Sequence, residues 1–268
     1  MNWKAILTGA TVLACSAALL AGCGSTEKAP STDNAAEMGK IIVGLDDNFP
    51  PMGFKDENNK IVGFDVDLAE EAAKRLGREV EFKAIDWSSK EQELASGRVQ
   101  ILWNGLDITP ERKENMLFSD PYMDNRQIIF VKKGTTGITD EKSLAGRKVG
   151  TQSASTAEAY MDKSDFFKTK VSDVKKYADF VAAFMDLENG RIDAVVGDEI
   201  VGRYYMEKHP DEIEAIDTAV GPVSEFGIAF AKDNQELRDE VQKTLNEMKT
   251  DGTIAKISEK WFGKDITK

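Results

Sequence analysis

Gly63-Phe64-Asp65-Val66-Asp67-Leu68-Ala69-Glu70-Glu71-Ala72-Ala73-Lys74-Arg75-Leu76 is the stretch that decides the fold class. It reads as a strand end turning into an amphipathic helix over Asp65–Leu76. Asp65 or Asp67 is placed to cap the start, and Gly77 sits where a C-terminal cap belongs. Val66, Ala69, Ala73 and Leu76 recur at helical spacing, so one stripe can pack on a sheet.

Working outward, the same alternation continues. Folded sequence starts near Lys40 with the short apolar strand Ile41-Ile42-Val43, and Val80–Ala84 is an alternating strand after the helix. Ser88-Ser89-Lys90-Glu91 has the form of a capping box for a helix reaching Ser96. Val99–Trp103 is a strand, and Thr109-Pro110-Glu111 opens a further helix, with Thr as cap and Pro in the first position. Gln127–Lys133 is a strand. A second block begins at Ser143, with strands at Lys148–Thr151 and Ile192–Val196 and a capping box at Ser155-Thr156-Ala157-Glu158. In it helix Asp179–Asn189 ends at Gly190, and Asp198 can cap a helix through Lys208. Strand Phe226–Ala231 and helices Asn234–Lys249 and Thr253–Trp261 close the chain. Strands alternating with helices predict an α/β fold with largely parallel sheets. One internal echo stands out: Gly97-Arg98-Val99-Gln100-Ile101-Leu102 after one helix resembles Gly190-Arg191-Ile192-Asp193-Ala194-Val195 after another, as two similar lobes would produce.

Composition bounds the function. The 268 residues suffice for one or two domains with real cores, and 41% hydrophobic with 31% charged residues describes a globular protein. A net charge of −12 argues against a nucleic-acid partner, which needs a basic face. The start Met1-Asn2-Trp3-Lys4 and the apolar run Ala5–Leu20 form an export signal too short for a stable span. Its ending, Leu20-Ala21-Gly22-Cys23, resembles the lipobox of bacterial lipoproteins. That resemblance implies a signal peptide over 1–22, lipidation (palmitate) on Cys23, and an exported protein lipid-anchored on the extracytoplasmic face. Only Cys23 would remain after processing, so no internal disulfide is expected. Residues 23–39 read as a flexible tether.

Catalytic groups are scarce. The single histidine, His209, lies in the polar turn Lys208-His209-Pro210-Asp211, and no glycine-rich phosphate loop is present. No cofactor or metal is expected. Binding is better supported, because a free α-amino acid needs a cation for its carboxylate and an anion for its ammonium, and arginine suits the first through its bidentate fork.

The stretch Gly63–Leu76 resembles the signature of the bacterial extracellular solute-binding proteins of family 3, the polar-amino-acid binders that feed ABC importers. The resemblance extends over about Lys40–Lys264 and includes Phe118-Ser119-Asp120-Pro121-Tyr122 and the ending Asp251-Gly252-Thr253 through Lys260-Trp261-Phe262-Gly263. It implies a two-lobed, type II periplasmic-binding-protein-like α/β fold with two crossover hinge strands, lobe 1 comprising 40–125 plus 225–268 and lobe 2 comprising 126–224. In Asn104-Gly105-Leu106-Asp107-Ile108-Thr109-Pro110-Glu111-Arg112 it implies that Arg112 binds the α-carboxylate, while the Gly105 backbone and the Asp107 side chain reach the α-ammonium. Asp107 departs from the Ser or Thr common there. Ser155 and Thr156 match the second lobe's carboxylate contact, which their place at a helix start also suits. Asp198 matches the aspartate that pairs with the ammonium. Asp46, Phe49 and Trp87 match the side-chain pocket, with Asp47 and Glu91 nearby. The expected partners are a free L-amino acid, polar or basic, the transmembrane subunits of an ABC permease, and the membrane through Cys23; a monomer is expected and nucleic acid is not. The alternatives are an enzyme resembling cyclohexadienyl dehydratases on the same fold, and a sensory amino-acid-binding lipoprotein.

Overall fold

The computed structural model describes residues 39–268. The expected signal peptide, the expected lipidation site Cys23 and the expected tether as far as residue 38 lie outside the described residues.

A six-strand sheet and a five-strand sheet organise the described chain, and they share one plan. In the first sheet the order is Val80–Ala84, Ile41–Leu45, Ile101–Asp107, Ser224–Ala231 and Met116–Phe118, with Met123–Asn125 also pairing Ser224–Ala231. In the second it is Asp173–Tyr177, Lys148–Gln152, Ala194–Asp198, Gln127–Lys132 and Ile213–Ala219. Each begins with three parallel strands. Each then adds an antiparallel strand where the chain crosses between sheets: Ser224–Ala231 in the first and Gln127–Lys132 in the second. The sheets are therefore mixed rather than largely parallel, because a strand arriving from the other lobe enters without a helical crossover and runs against its neighbours. The fold is two-lobed, joined at Asn125–Gln127 and Ala219–Ser224.

The sequence echo has a physical basis. Helices Lys90–Ala95 and Phe180–Glu188 both end on a left-handed glycine, Gly97 (φ +71°) and Gly190 (φ +68°). After Gly97, Arg98 N–H returns to Glu93 O; after Gly190, Arg191 N–H returns to Asp186 O. This Schellman closure aims each chain into the third strand of its parallel triple. Gly77 (φ +68°) closes helix Phe64–Arg75 in the same way, with Arg78 N–H on Ala73 O.

The acids of the opening stretch do not cap its helix. Gly63 occupies the cap position without a side-chain bond. Asp65 is fully buried and accepts Gly105 N–H (2.7 Å) and Tyr122 Oη–H (2.9 Å). Asp67 accepts Trp261 Nε1–H (2.7 Å) and Lys260 Nζ (2.5 Å) from the C-terminal helix Thr253–Phe262. Both carboxylates tie distant segments to this helix, while Val66, Leu68, Ala69, Ala72 and Ala73 supply its apolar contact with the sheet. No described helix is long and apolar enough to cross a membrane.

Candidate functional site

The parallel strands of both sheets end at one cleft, the place an open α/β sheet offers a ligand. Past Ile41–Leu45 come Asp46 and Phe49; past Val80–Ala84 comes Trp87; Asp107 ends its own strand. From the second sheet, Gln152 ends Lys148–Gln152 ahead of Ser155 and Thr156, and Asp198 ends Ala194–Asp198. A cavity of about 10 Å³ lies here, lined by Phe49, Trp87, Gly105, Asp107, Arg112, Gln152, Ser155, Thr156 and Asp198. Small-molecule pockets start at about 300 Å³, so an amino acid enters only if the lobes part.

Local structure explains how each side chain arrives. The strand expected to stop at Trp103 runs on to Asp107, every residue buried, so Asn104, Gly105 and Asp107 belong to a strand rather than a loop. Its pairing with Ser224–Ala231 slips between Gly227 and Ala229, and opposite that slip Gly105 takes φ +56°. A bulge of this kind re-aims the strand end. A Cβ on Gly105 would lie 2.8 Å from Phe49 Cε1, so only glycine fits. The Ser88–Glu91 box does not form. Asp86 instead caps a short turn, Trp87–Ser89, by accepting Ser88 N–H (2.9 Å), and this sets Trp87 against the cavity. Thr109 caps helix Pro110–Asn115 as expected and presents Arg112 inward. Ser155 caps helix Thr156–Lys163, but Glu158 Oε2 accepts from Ala154 N–H rather than from Ser155 N–H. That bond holds Ala154 at φ +56°, a conformation costing roughly 1 kcal/mol outside glycine.

Charge is divided between two ends of the site. At one, Arg112 is buried and forms no ion pair among the described residues. Its guanidinium donates to Asp107 O (2.8 Å), Thr156 Oγ1 (3.3 Å) and Ala154 O (3.3 Å). Burial lowers its pKa. Lys90, which sequence reasoning missed, is buried beside it, its Nζ 5.1 Å from the Trp87 ring centroid and 2.8 Å from Ala154 O. Burial, then Arg112's charge, brings its pKa down to about 7. At the other end Asn125 Nδ2 donates to both Asp107 Oδ1 (2.9 Å) and Asp198 Oδ1 (2.5 Å). Gln127 Nε2 adds a bond to Asp198 Oδ1 (2.8 Å), and Ser224 Oγ one to Asp107 Oδ1 (2.6 Å). Burial, then the charge of Asp107, pushes the Asp198 carboxyl up to about 7.

Of the residues singled out in the sequence, Phe49, Trp87, Gly105, Asp107, Arg112, Ser155, Thr156 and Asp198 line the one cavity. Asn104 and Asp46 do not. Asn104 Oδ1 accepts Asp46 N–H (3.0 Å), tying the first strand's loop to the bulged strand. Asp46 Oδ2 accepts Gln152 Nε2–H (2.6 Å) across the cleft, and burial raises its pKa to about 7. Asp47 pairs with Lys55 and Glu91 is exposed. Asp198 sits at a helix start but caps nothing. His209 is not simply solvated: it stacks on Tyr205 with ring centroids 4.2 Å apart, and its Nδ1 lies 3.3 Å from Glu188. Gln152, Asn125 and Gln127 were also missed. The signal for the last two was polar residues flanking the apolar strand Gln127–Lys132 at a crossover. A larger concavity, about 1240 Å³, runs along the crossover segments and helix Glu199–Lys208. Both arginines in its lining, Arg126 and Arg203, are already matched to Glu199, so among the described residues it offers no free guanidinium fork for a carboxylate.

Comparison with known proteins gives the family and the fold. Residues 41–264 match the profile of the bacterial extracellular solute-binding proteins, family 3. The L-cystine-binding protein TcyJ of Escherichia coli (strain K12) is 34% identical over 233 residues, 87% of this chain and 86% of that protein. An ABC uptake transporter substrate-binding protein from Streptococcus pneumoniae with bound histidine is 33% identical with a TM-score of 0.81, covering 85% of this chain and 94% of that one. An ancestral arginine-binding protein bound to arginine is 45% identical with a TM-score of 0.79, over 84% of this chain and 99% of that one.

Proposed function

The chain belongs to the bacterial extracellular solute-binding proteins of family 3, and from that premise we propose that it captures a free L-amino acid, polar or basic, between its lobes and delivers it to an ABC permease. The observation that carries this reading is a buried arginine with no carboxylate partner among the described residues, at one end of a cavity whose other end holds two buried carboxylates. A zwitterion is the complement of that pattern. Arg112 takes the α-carboxylate by exchanging its weak bonds to Ala154 O and Thr156 Oγ1 for charge-assisted ones. The hydroxyls and N–H groups at Ser155–Thr156 meet the same carboxylate from the second lobe. Asp107 and Asp198 take the α-ammonium, and Phe49 and Trp87 flank the side chain.

Residues 40–125 plus 225–268 act as lobe 1 and 126–224 as lobe 2. Because both lobes touch the ligand, its differential contacts favour the closed form, which the permease then recognises. For the side chain, Asp46 lies behind Gln152 at the cleft, and a cationic or polar side chain that draws Gln152 aside would meet it. Relatives named for arginine, histidine and cystine support a polar or basic ligand. The protein acts as a binder rather than as an enzyme, since the single histidine, His209, lies outside the cavity lining. An export signal and lipid on Cys23 place it at the outer face of the membrane.

Thermal melting against the twenty L-amino acids and L-cystine tests this. A ligand at a hundred times its Kd adds about 2.7 kcal/mol, a shift of about 5–10 °C for a fold of this size. Stabilisation by one or a few related amino acids is expected. No shift with any of them would overturn the reading.

A further inference from the structure

Two acidic side chains from opposite lobes meet on one nitrogen. Asp107 ends a strand of the first sheet and Asp198 a strand of the second, yet both accept from Asn125 Nδ2, at 2.9 and 2.5 Å. Their oxygens therefore lie no further apart than those two bonds laid end to end. Both residues are buried. Gln127 Nε2 approaches both as well, at 2.8 Å from Asp198 Oδ1 and 3.5 Å from Asp107 Oδ2. These amides and Ser224 are neutral donors, so they satisfy hydrogen bonds without cancelling charge. Two ionised carboxylates this close and this dry repel each other, and one of them favours its neutral form.

We propose that Asp107 and Asp198 form a charge gate, so that the lobes close over the cavity only when one positive charge, a ligand's protonated amine or a proton, sits between the two carboxylates. This rests on the amino-acid reading for the identity of the amine, but the gate itself is a property of the protein alone. With the lobes apart, each aspartate is solvated and the repulsion vanishes. Closing desolvates both and brings them to the shared amide. An ammonium cancels the excess negative charge. At neutral pH the empty protein lacks that cation and stays open, and acid supplies a proton in its place. The same proton then competes with the ligand, so affinity weakens as pH falls. Burial, then the charge of Asp107, raises the Asp198 pKa in this arrangement, in keeping with the gate.

Other charged groups face the pair. Arg112 lies close enough to lower the Asp198 pKa, but its fork is directed to carbonyl and hydroxyl oxygens. Tyr122, from the first lobe, feels the charge of Asp107 and is held neutral by burial. Glu199, next to Asp198, is matched by Arg126 and Arg203. Two further interlobe bonds involve groups that titrate near 7: Asp46 with Gln152, and Lys90 with Ala154 O. A pH response of the wild type alone would therefore not isolate the gate, and removing one charge does.

The experiment is small-angle scattering of the purified, ligand-free protein from pH 8.5 to 5, on the wild type, Asp107→Asn and Asp198→Asn. The wild type is expected to become more compact as pH falls, with at least a fivefold rise in the closed-to-open ratio. Each Asn variant is expected to be compact already at pH 8.5 and to change less than twofold. If one variant does not fold, the other carries the comparison. A wild type of constant size across the range overturns the gate, and so does a variant that tracks the wild type. Neither result touches the amino-acid reading, which the melting screen decides separately.

Discussion

Replacing Arg112 with methionine is the perturbation that separates binding from folding most cleanly. Its guanidinium reaches three oxygens, two of them on the opposite lobe at 3.3 Å, and no carboxylate among the described residues pairs with it. A bidentate grip on an α-carboxylate comprises two charge-assisted hydrogen bonds, each worth about 1.5–3 kcal/mol. Arg112→Met should therefore cost about 3–5 kcal/mol of binding, a factor of roughly 10² to 10³·⁵ in Kd. The fold should tolerate it. Methionine retains much of the apolar stem, and replacing a buried ion with an apolar residue of similar size is often neutral for stability. Against this, the mutation removes a positive charge that lowers the Asp198 pKa, so a modest loss near neutral pH is expected. Titration calorimetry gives Kd and denaturant unfolding gives stability. A variant that binds within threefold of the wild type, with its fold intact, would refute the assignment of Arg112.

Three further outcomes are expected. Gly105→Ala puts a Cβ 2.8 Å from Phe49 Cε1 at φ +56°, and should cost about 1–3 kcal/mol in stability and weaken ligand binding at least tenfold; unchanged values in both assays would contradict the bulge geometry. Asp65 has a folded pKa raised to about 7, chiefly by burial, so the stability it contributes by protonation is fully present below about 3.8 and is lost as pH rises through 7. The wild type should accordingly lose about 2 kcal/mol relative to Asp65→Asn between pH 5 and pH 8, measured by urea unfolding, and an equal difference at the two pH values would count against a buried, protonatable Asp65. Cys23→Ser should move the protein from the membrane fraction to the soluble fraction, and continued membrane fractionation would argue against lipid attachment at that residue.

How much of this was legible in the sequence depends on the range over which each signal acts. Local signals held. The helix after Gly63, the caps at Thr109 and Ser155, and the glycine ends at Gly77 and Gly190 were readable because cap chemistry involves residues three or four apart. The paired glycine ends also explain why the two lobes echo one another in sequence. Long-range partners were not readable. Asp65 looked like a cap and proved to hold Gly105, 40 residues away, while Asp86 took the role expected of the serines after it. The strand end at Trp103 was misplaced because Asn104-Gly105 looks like a turn, and only its pairing with Ser224–Ala231 carries the strand on through the bulge.

The site shows the same division. Arg112 and Asp198 stood out by matching a pattern, whereas Lys90, Asn125, Gln127 and Gln152 gained meaning only when folding brought them to Ala154 O, Asp107, Asp198 and Asp46. Asn104 and Asp46 belong to the same loop system but support it from behind the cavity wall, a distinction that depends on which way a side chain turns at a bulge.

The most direct test of the central claim is a crystal structure of the protein with the amino acid that stabilises it most. The account predicts lobes closed on the ligand, its α-carboxylate on the Arg112 guanidinium and its α-ammonium between Asp107 and Asp198. A ligand seated elsewhere, or one whose ammonium lies away from both aspartates, would contradict it.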